Sequence, residues 1–194
     1  MERCKWRNLE KSEIYVDYHD NEWGVSSTDD RYLFEMLVLE SFQSGLSWLT
    51  ILNKRAAFKR AFDNFEVEVV KNYNDQKIEE LLENKDIIRN KGKIKATINN
   101  AWSFLKVQEE FGSFSNYIWS FTDNKVVFRE NDDLVVKNVL SDLVAKDLKK
   151  RGFKYMGSIT TFSFLEAIGV MNNHFSYCFK SKKKADFNGN LWKF

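Results

Sequence analysis

The chain has 194 residues, 43% hydrophobic and 30% charged, with a formal net charge of +2. This is the balance of a folded globular protein with one core or two small lobes, and it excludes a disordered chain. Lys, Glu or Asn interrupts every apolar run before it could span a bilayer, and Met1–Glu13 lacks the apolar stretch of a secretion signal, so a cytoplasmic protein is expected.

Helical periodicity dominates. Asp29–Glu40 opens with acidic residues that suit a helix N-terminus and then places Leu33, Phe34, Leu37 and Val38 on one face. Leu46–Phe62 repeats the pattern through Leu49, Leu52, Phe58 and Phe62. Further helices are expected over Asp75–Glu83, Lys91–Glu110, Asn116–Phe121, Ser141–Lys150 and Thr160–Gly169, the last closed by Gly169. Only Lys125–Arg129 reads as a strand. Proline is absent, so turns must be made by Gly, Asn, Asp and Ser.

Between the last two helices, Gly152 and Gly157 stand five apart around a short hydrophobic turn. That spacing suggests a hairpin whose backbone amides, with Lys149, Lys150, Arg151 and Lys154 nearby, hold one DNA phosphate. A plain turn between two helices is the other reading. Basic residues cluster at Arg89–Lys95, Lys146–Lys154 and Lys180–Lys184. These clusters either converge into a phosphate-tracking surface or are separate solvated faces.

The chain holds two Cys and two His: Cys4, His19, His174 and Cys178. The last two are spaced His-x3-Cys, which on a helix puts both on one face. Cys2His2 is a common structural zinc set, and a cytosolic chain has little use for a Cys4–Cys178 disulfide. The 155-residue gap between His19 and His174 is unlike any zinc finger, and buried thiols with core histidines are the alternative.

The segments MERCKW (1–6), YHDNEWGV (18–25), LFEMLVLESFQSGLSWLTIL (33–52), IIRNKGKIKA (87–96), YIWSF (117–121) and LKKRGFKYMG (148–157), with His174-x3-Cys178, resemble the 3-methyladenine DNA glycosylase I family. The match runs over residues 1–178 and leaves the Lys-rich tail, 179–194, outside it.

The resemblance implies an all-α, helix-hairpin-helix glycosylase fold, with two helical lobes around a base pocket in a single domain. It implies one structural zinc on Cys4, His19, His174 and Cys178, joining the N- and C-terminal segments. Glu40 takes the place of the base-recognising carboxylate, and Tyr18 and Trp48 those of the pocket aromatics, with Trp6 and Trp23 behind them. Ser44, Gly45 and Leu46 match the loop that enters DNA where the base has left, and Gly152, Lys154 and Gly157 the phosphate-holding hairpin. Ser26 departs from the family pattern, where many members carry proline.

The implied activity is that of a monomer acting on double-stranded DNA with alkylated bases, cutting the N-glycosidic bond of 3-methyladenine without cleaving the strand. Asn172 and Asn173 stand before His174, where many members of the wider superfamily place a catalytic Asp shortly before their last histidine region. This fits an enzyme restricted to labile cationic bases. Without the resemblance, Glu40 reads as a capping or ion-paired helix residue and Trp48 as core. A non-enzymatic damaged-DNA-binding module and a zinc-stapled scaffold for a protein partner are the rival readings.

Overall fold

The computed structural model describes residues 1–181; most of the Lys-rich tail, including Lys182–Lys184, lies outside the described residues. Nine α-helices and one two-stranded ladder are found among them. In chain order the helices are α1 (Glu13–Asn21), α2 (Asp30–Gln43), α3 (Trp48–Ala61), α4 (Val67–Val70), α5 (Asp75–Glu83), α6 (Lys91–Phe111), α7 (Phe114–Ser120), α8 (Val139–Lys150) and α9 (Ser158–Ala167). The strands are β1 (Val127–Phe128) and β2 (Met171–Asn172), paired in parallel with Val127 opposite Met171. The expected helices are all present. Sequence reading missed α1, the single turn α4 and the second strand.

Helix α2 is the axis of the molecule. Every residue from Leu33 to Phe42 is buried, so it packs on all sides rather than along one stripe. Asp29 caps it, and the neighbouring Asp30 accepts hydrogen bonds from the amides of Phe114 and Ser115, which fixes α7 against it. Around α2 the main core is aromatic: Phe104 stacks on Phe114 with ring centroids 4.1 Å apart, and Phe42 meets Phe58 edge-on at 4.8 Å. The 21-residue α6, about 30 Å long, crosses this core and ends at Gly112, whose φ of 82° is the left-handed cap expected of glycine.

Because the chain has no proline, Asn and Asp make its tightest turns. Asn8, Asp63, Asn64, Asp123 and Asn124 all take positive φ, the conformation these residues tolerate best after glycine. Gly169 follows α9 with φ 74°, as expected for its C-terminal stop. The segment at Val25 and Ser26 presses against it, and a Cβ on Gly169 would lie 2.2 Å from the Val25 carbonyl carbon. Gly169→Ala is therefore expected to destabilise by about 2–3 kcal/mol, lowering the melting midpoint by roughly 5–10 °C. Thermal unfolding followed by circular dichroism measures this.

A second, smaller cluster sits at the junction of the two ends of the chain. Cys4, Tyr18, Trp23, Leu52 and Cys178 form its buried part, with Trp6, Tyr15, Trp48 and Phe175 packed around them. Among the described residues, no helix is long and apolar enough to cross a membrane.

Candidate active site and metal centre

The aromatic cluster opens into a cleft of about 430 Å3. Tyr18 reaches it from α1, Glu40 from near the C-terminal end of α2, and Trp48 from the first residue of α3, with Trp6 and Trp23 behind. All five pocket residues expected from the sequence thus line one cavity. Trp6 and Trp23 meet edge-on at 4.5 Å. Tyr18 and Trp48 lie 5.3 Å apart at 53°, so a flat ligand stacking on one ring meets the other at a slant.

The polar groups of this cleft are unusual. Glu40 is 4% exposed, and among the described residues its carboxylate has no hydrogen-bond or ion-pair partner. Glu35, buried one turn earlier on the same helix, is bound by Arg55 at 2.7 Å. The capping and ion-paired readings of Glu40 therefore fail. Burial, reinforced by the nearby Glu166, raises the Glu40 carboxyl well above the usual carboxylate range. Close by, the indole Nε1–H of Trp48 is buried without an acceptor. The buried donor is costly to leave unmade, and with the unpaired Glu40 acceptor in the same cavity it describes a ligand with complementary edges.

Among the further lining residues, none of them singled out from the sequence, are Tyr15, Arg129, Phe162 and Glu166. Tyr15 stands three residues before Tyr18, a spacing that could have flagged it. The others come together only through the fold.

The turn Ser44–Ser47 separates α2 from α3, with Gly45 at φ 86° and Leu46 38% exposed. It is rigidly held. Lys93, buried in the first turn of α6, donates to the carbonyls of Phe42 and Ser44 at 2.8 Å each, and the Gln43 side-chain amide donates to the Leu46 carbonyl at 2.7 Å. At the neighbouring Gly92, a Cβ would lie 2.7 Å from the Tyr155 hydroxyl. One turn of α6 therefore supports both the Leu46 loop and the turn between α8 and α9.

That second turn is clamped by two asparagines of α6: Asn99 donates to the Gly152 carbonyl at 2.7 Å, and Asn100 both donates to the Lys154 carbonyl and accepts from the Lys154 amide. Gly152 takes φ 93°. Helix α9 starts at Gly157 with no side-chain cap, leaving its first amides open. Lys149, Lys150 and Lys154 are exposed. Arg151 is not available to a phosphate, contrary to expectation: it is paired with Glu110 and Asp147 and packed over Phe111 and Tyr117.

The four Cys and His residues converge. Their donor atoms all lie within 4.8 Å of one another, and all four residues are buried. Cys4 Sγ is 3.5 Å from His174 Nδ1, and Cys178 Sγ is 3.4 Å from the same nitrogen and 3.6 Å from His19 Nε2. These three separations fall within the edge lengths of a tetrahedron of zinc ligands at ordinary bond lengths, about 3.3–3.8 Å, and the whole set spans no more than 4.8 Å. The remaining ring nitrogens are occupied: His19 Nδ1 donates to Asp20 at 2.7 Å and His174 Nε2 to the Trp23 carbonyl at 3.0 Å. Asp20 is in turn gripped by Arg3. Such outer contacts turn both rings toward the shared centre. The helical explanation of the His-x3-Cys spacing does not hold, because residues 173–178 form an irregular turn after β2, closed by the Cys178 amide on the Phe175 carbonyl.

The family model for methyladenine glycosylase matches residues 6–181. DNA-3-methyladenine glycosylase 1 of Escherichia coli K12 is 38% identical over 181 residues, covering 92% of this chain and 96% of the relative. A crystal structure of 3-methyladenine DNA glycosylase I superposes with a TM-score of 0.87 at 41% identity, covering 93% of this chain and all of the other. The Staphylococcus aureus 3-methyladenine DNA glycosylase I, solved for its recognition of 3-methyladenine, gives 0.85 at 38% identity, with 88% and 93% covered. With sequence and fold shared over nearly its whole length, the chain belongs to the methyladenine glycosylase family.

Proposed function

We propose that this protein hydrolyses the N-glycosidic bond of 3-methyladenine in alkylated double-stranded DNA. The observation that carries the reading is the buried, unpartnered Glu40 beside the orphaned Trp48 indole, in a cleft walled by aromatic rings. A base rotated out of the duplex enters the cleft, where Glu40 accepts from its amino edge and Trp48 offers a donor. Methylation at N3 makes adenine cationic while it is attached to the sugar. Ring faces attract such a cation by about 0.5–2 kcal/mol each, and a carboxylate gains more from it than from a neutral purine. The base leaves neutral, so little driving force is needed from the protein.

DNA is held, in this reading, by the α8–α9 turn as a helix-hairpin-helix element, with the open amides of α9 on one phosphate and Lys149, Lys150 and Lys154 around it. Leu46 fills the space that the base vacates. Among the described residues no lysine lines the cleft, so no Schiff base forms and the strand is left intact. Residues 1–178 act as one domain, with lobes on either side of the cleft. Cys4, His19, His174 and Cys178 hold a structural zinc whose four positions are all filled by protein, and which ties the two ends of the chain together.

The test is chromatography of bases freed from methylated duplex DNA. Release of 3-methyladenine, with no strand breaks until the abasic product is treated with alkali, is expected. DNA binding with no base release at any protein concentration would instead identify a damaged-DNA-binding module.

A further inference from the structure

The cleft contains a second carboxylate. Ile159, Phe162, Ser163 and Glu166 lie at i, i+3, i+4 and i+7 along α9, and all four line the cavity. This wall descends from the open N-terminus of α9, which packs directly against α2, the helix that carries Glu40. Glu166 is the ionisable group on it, half-buried where Glu40 is buried.

The Glu166 carboxylate is aimed by a short chain of contacts. The Asn173 side-chain amide donates to Oε1 at 2.8 Å, and the Asn173 carbonyl accepts from Arg129 Nη1 at 2.9 Å. The Arg129 guanidinium itself sits 4.1 Å over the Phe175 ring. Among the described residues Oε2 has no protein partner. One oxygen is therefore fixed and the other left free at the cavity wall, which is how a base is presented to a small reactant. Asn173 cannot carry the charge that an Asp would bring to this region, but it directs one.

We infer that Glu166 is the base that takes the proton of the water attacking the sugar, an assignment that rests on the glycosylase reading above. In the step, a water oxygen bonds to the anomeric carbon as the carbon–nitrogen bond breaks. The bonding pair stays on the departing purine, which becomes neutral, and one water proton passes to Glu166 Oε2. The sugar keeps the hydroxyl. Burial moves the Glu166 carboxyl up to about 7, against the opposing pull of the Asn173 amide and of Arg129, and a base poised near neutrality is suited to this work.

Glu166→Gln preserves the shape and the acceptor for Asn173 while removing the basic oxygen. In single-turnover assays on methylated duplex it is expected to release 3-methyladenine at least tenfold more slowly. Its affinities for the duplex and for free 3-methyladenine, read by tryptophan fluorescence, stay within twofold of the wild-type values. Asn173→Ala, which leaves the carboxylate in place but unaimed, gives a smaller fall with the same affinities. A loss of rate under tenfold in Glu166→Gln, or one matched by loss of base affinity, overturns the assignment. Wild-type protein run alongside separates the two claims: if it releases no base, the glycosylase reading itself is lost.

Discussion

Replacing Glu40 by Gln is expected to slow release of 3-methyladenine by about 10- to 100-fold, the worth of one charge-assisted hydrogen bond, while making the folded protein more stable. The two effects have one cause. Glu40 is buried with no cation to pair with, and burial raises its carboxyl well above the usual range. In the unfolded chain it titrates normally. The stability associated with its neutral form is therefore complete below the ordinary carboxylate range and is lost as pH climbs through the raised value. Every pH unit across that interval costs the wild-type protein about 1.4 kcal/mol.

The amide escapes this loss. Melting midpoints of Glu40→Gln and wild type should nearly coincide at pH 5 and differ by several degrees at pH 8, the variant being higher. Equal midpoints at pH 8 together with undiminished base release would remove Glu40 from the site. A lower midpoint would mean that the carboxylate has a structural partner after all. The expected pattern is that of a group kept for its ligand at the expense of the fold.

What the sequence made legible follows from which forces are local. Helix α5 was found with its observed ends because Asn74 caps it and Ile78 and Leu81 supply the buried face. Helix α1 was missed because its buried side chains, Tyr18 and His19, line the cleft and the Cys2His2 cluster, while Ile14 is exposed. Its apolar period was spent on chemistry. β2 stayed hidden because two residues, both buried, leave no alternation to read. Glu40 and Trp48 were recognisable only through resemblance to a family, since nothing adjacent in the chain distinguishes Glu40 from Glu35. Glu166 carried no local signal at all: its meaning depends on Asn173, Arg129 and α2, all brought close by folding.

If the Cys2His2 cluster holds the proposed zinc, losing it is the second large effect expected, and it should reach the base pocket. A zinc ion held at a thousandfold above its dissociation constant stabilises the folded state by about 4 kcal/mol, so Cys178→Ser or exhaustive chelation should lower the melting midpoint by roughly 10–15 °C. Elemental analysis should find one zinc per chain in the wild type and none in the variant. The coupling to function is geometric. Trp23 accepts from the His174 ring at its carbonyl and packs edge-on against it at 4.5 Å, and Trp6 lies 5.0 Å from the His19 ring. Tyr18 directly precedes His19 in the chain. Releasing the two histidines therefore frees three walls of the aromatic cleft, and affinity for free 3-methyladenine should fall in Cys178→Ser even at temperatures where α2 to α9 remain folded. Zinc-free wild-type protein, with Cys178→Ser melting alongside it, would show instead that the four side chains are a buried polar core and that the ends of the chain are held by packing alone.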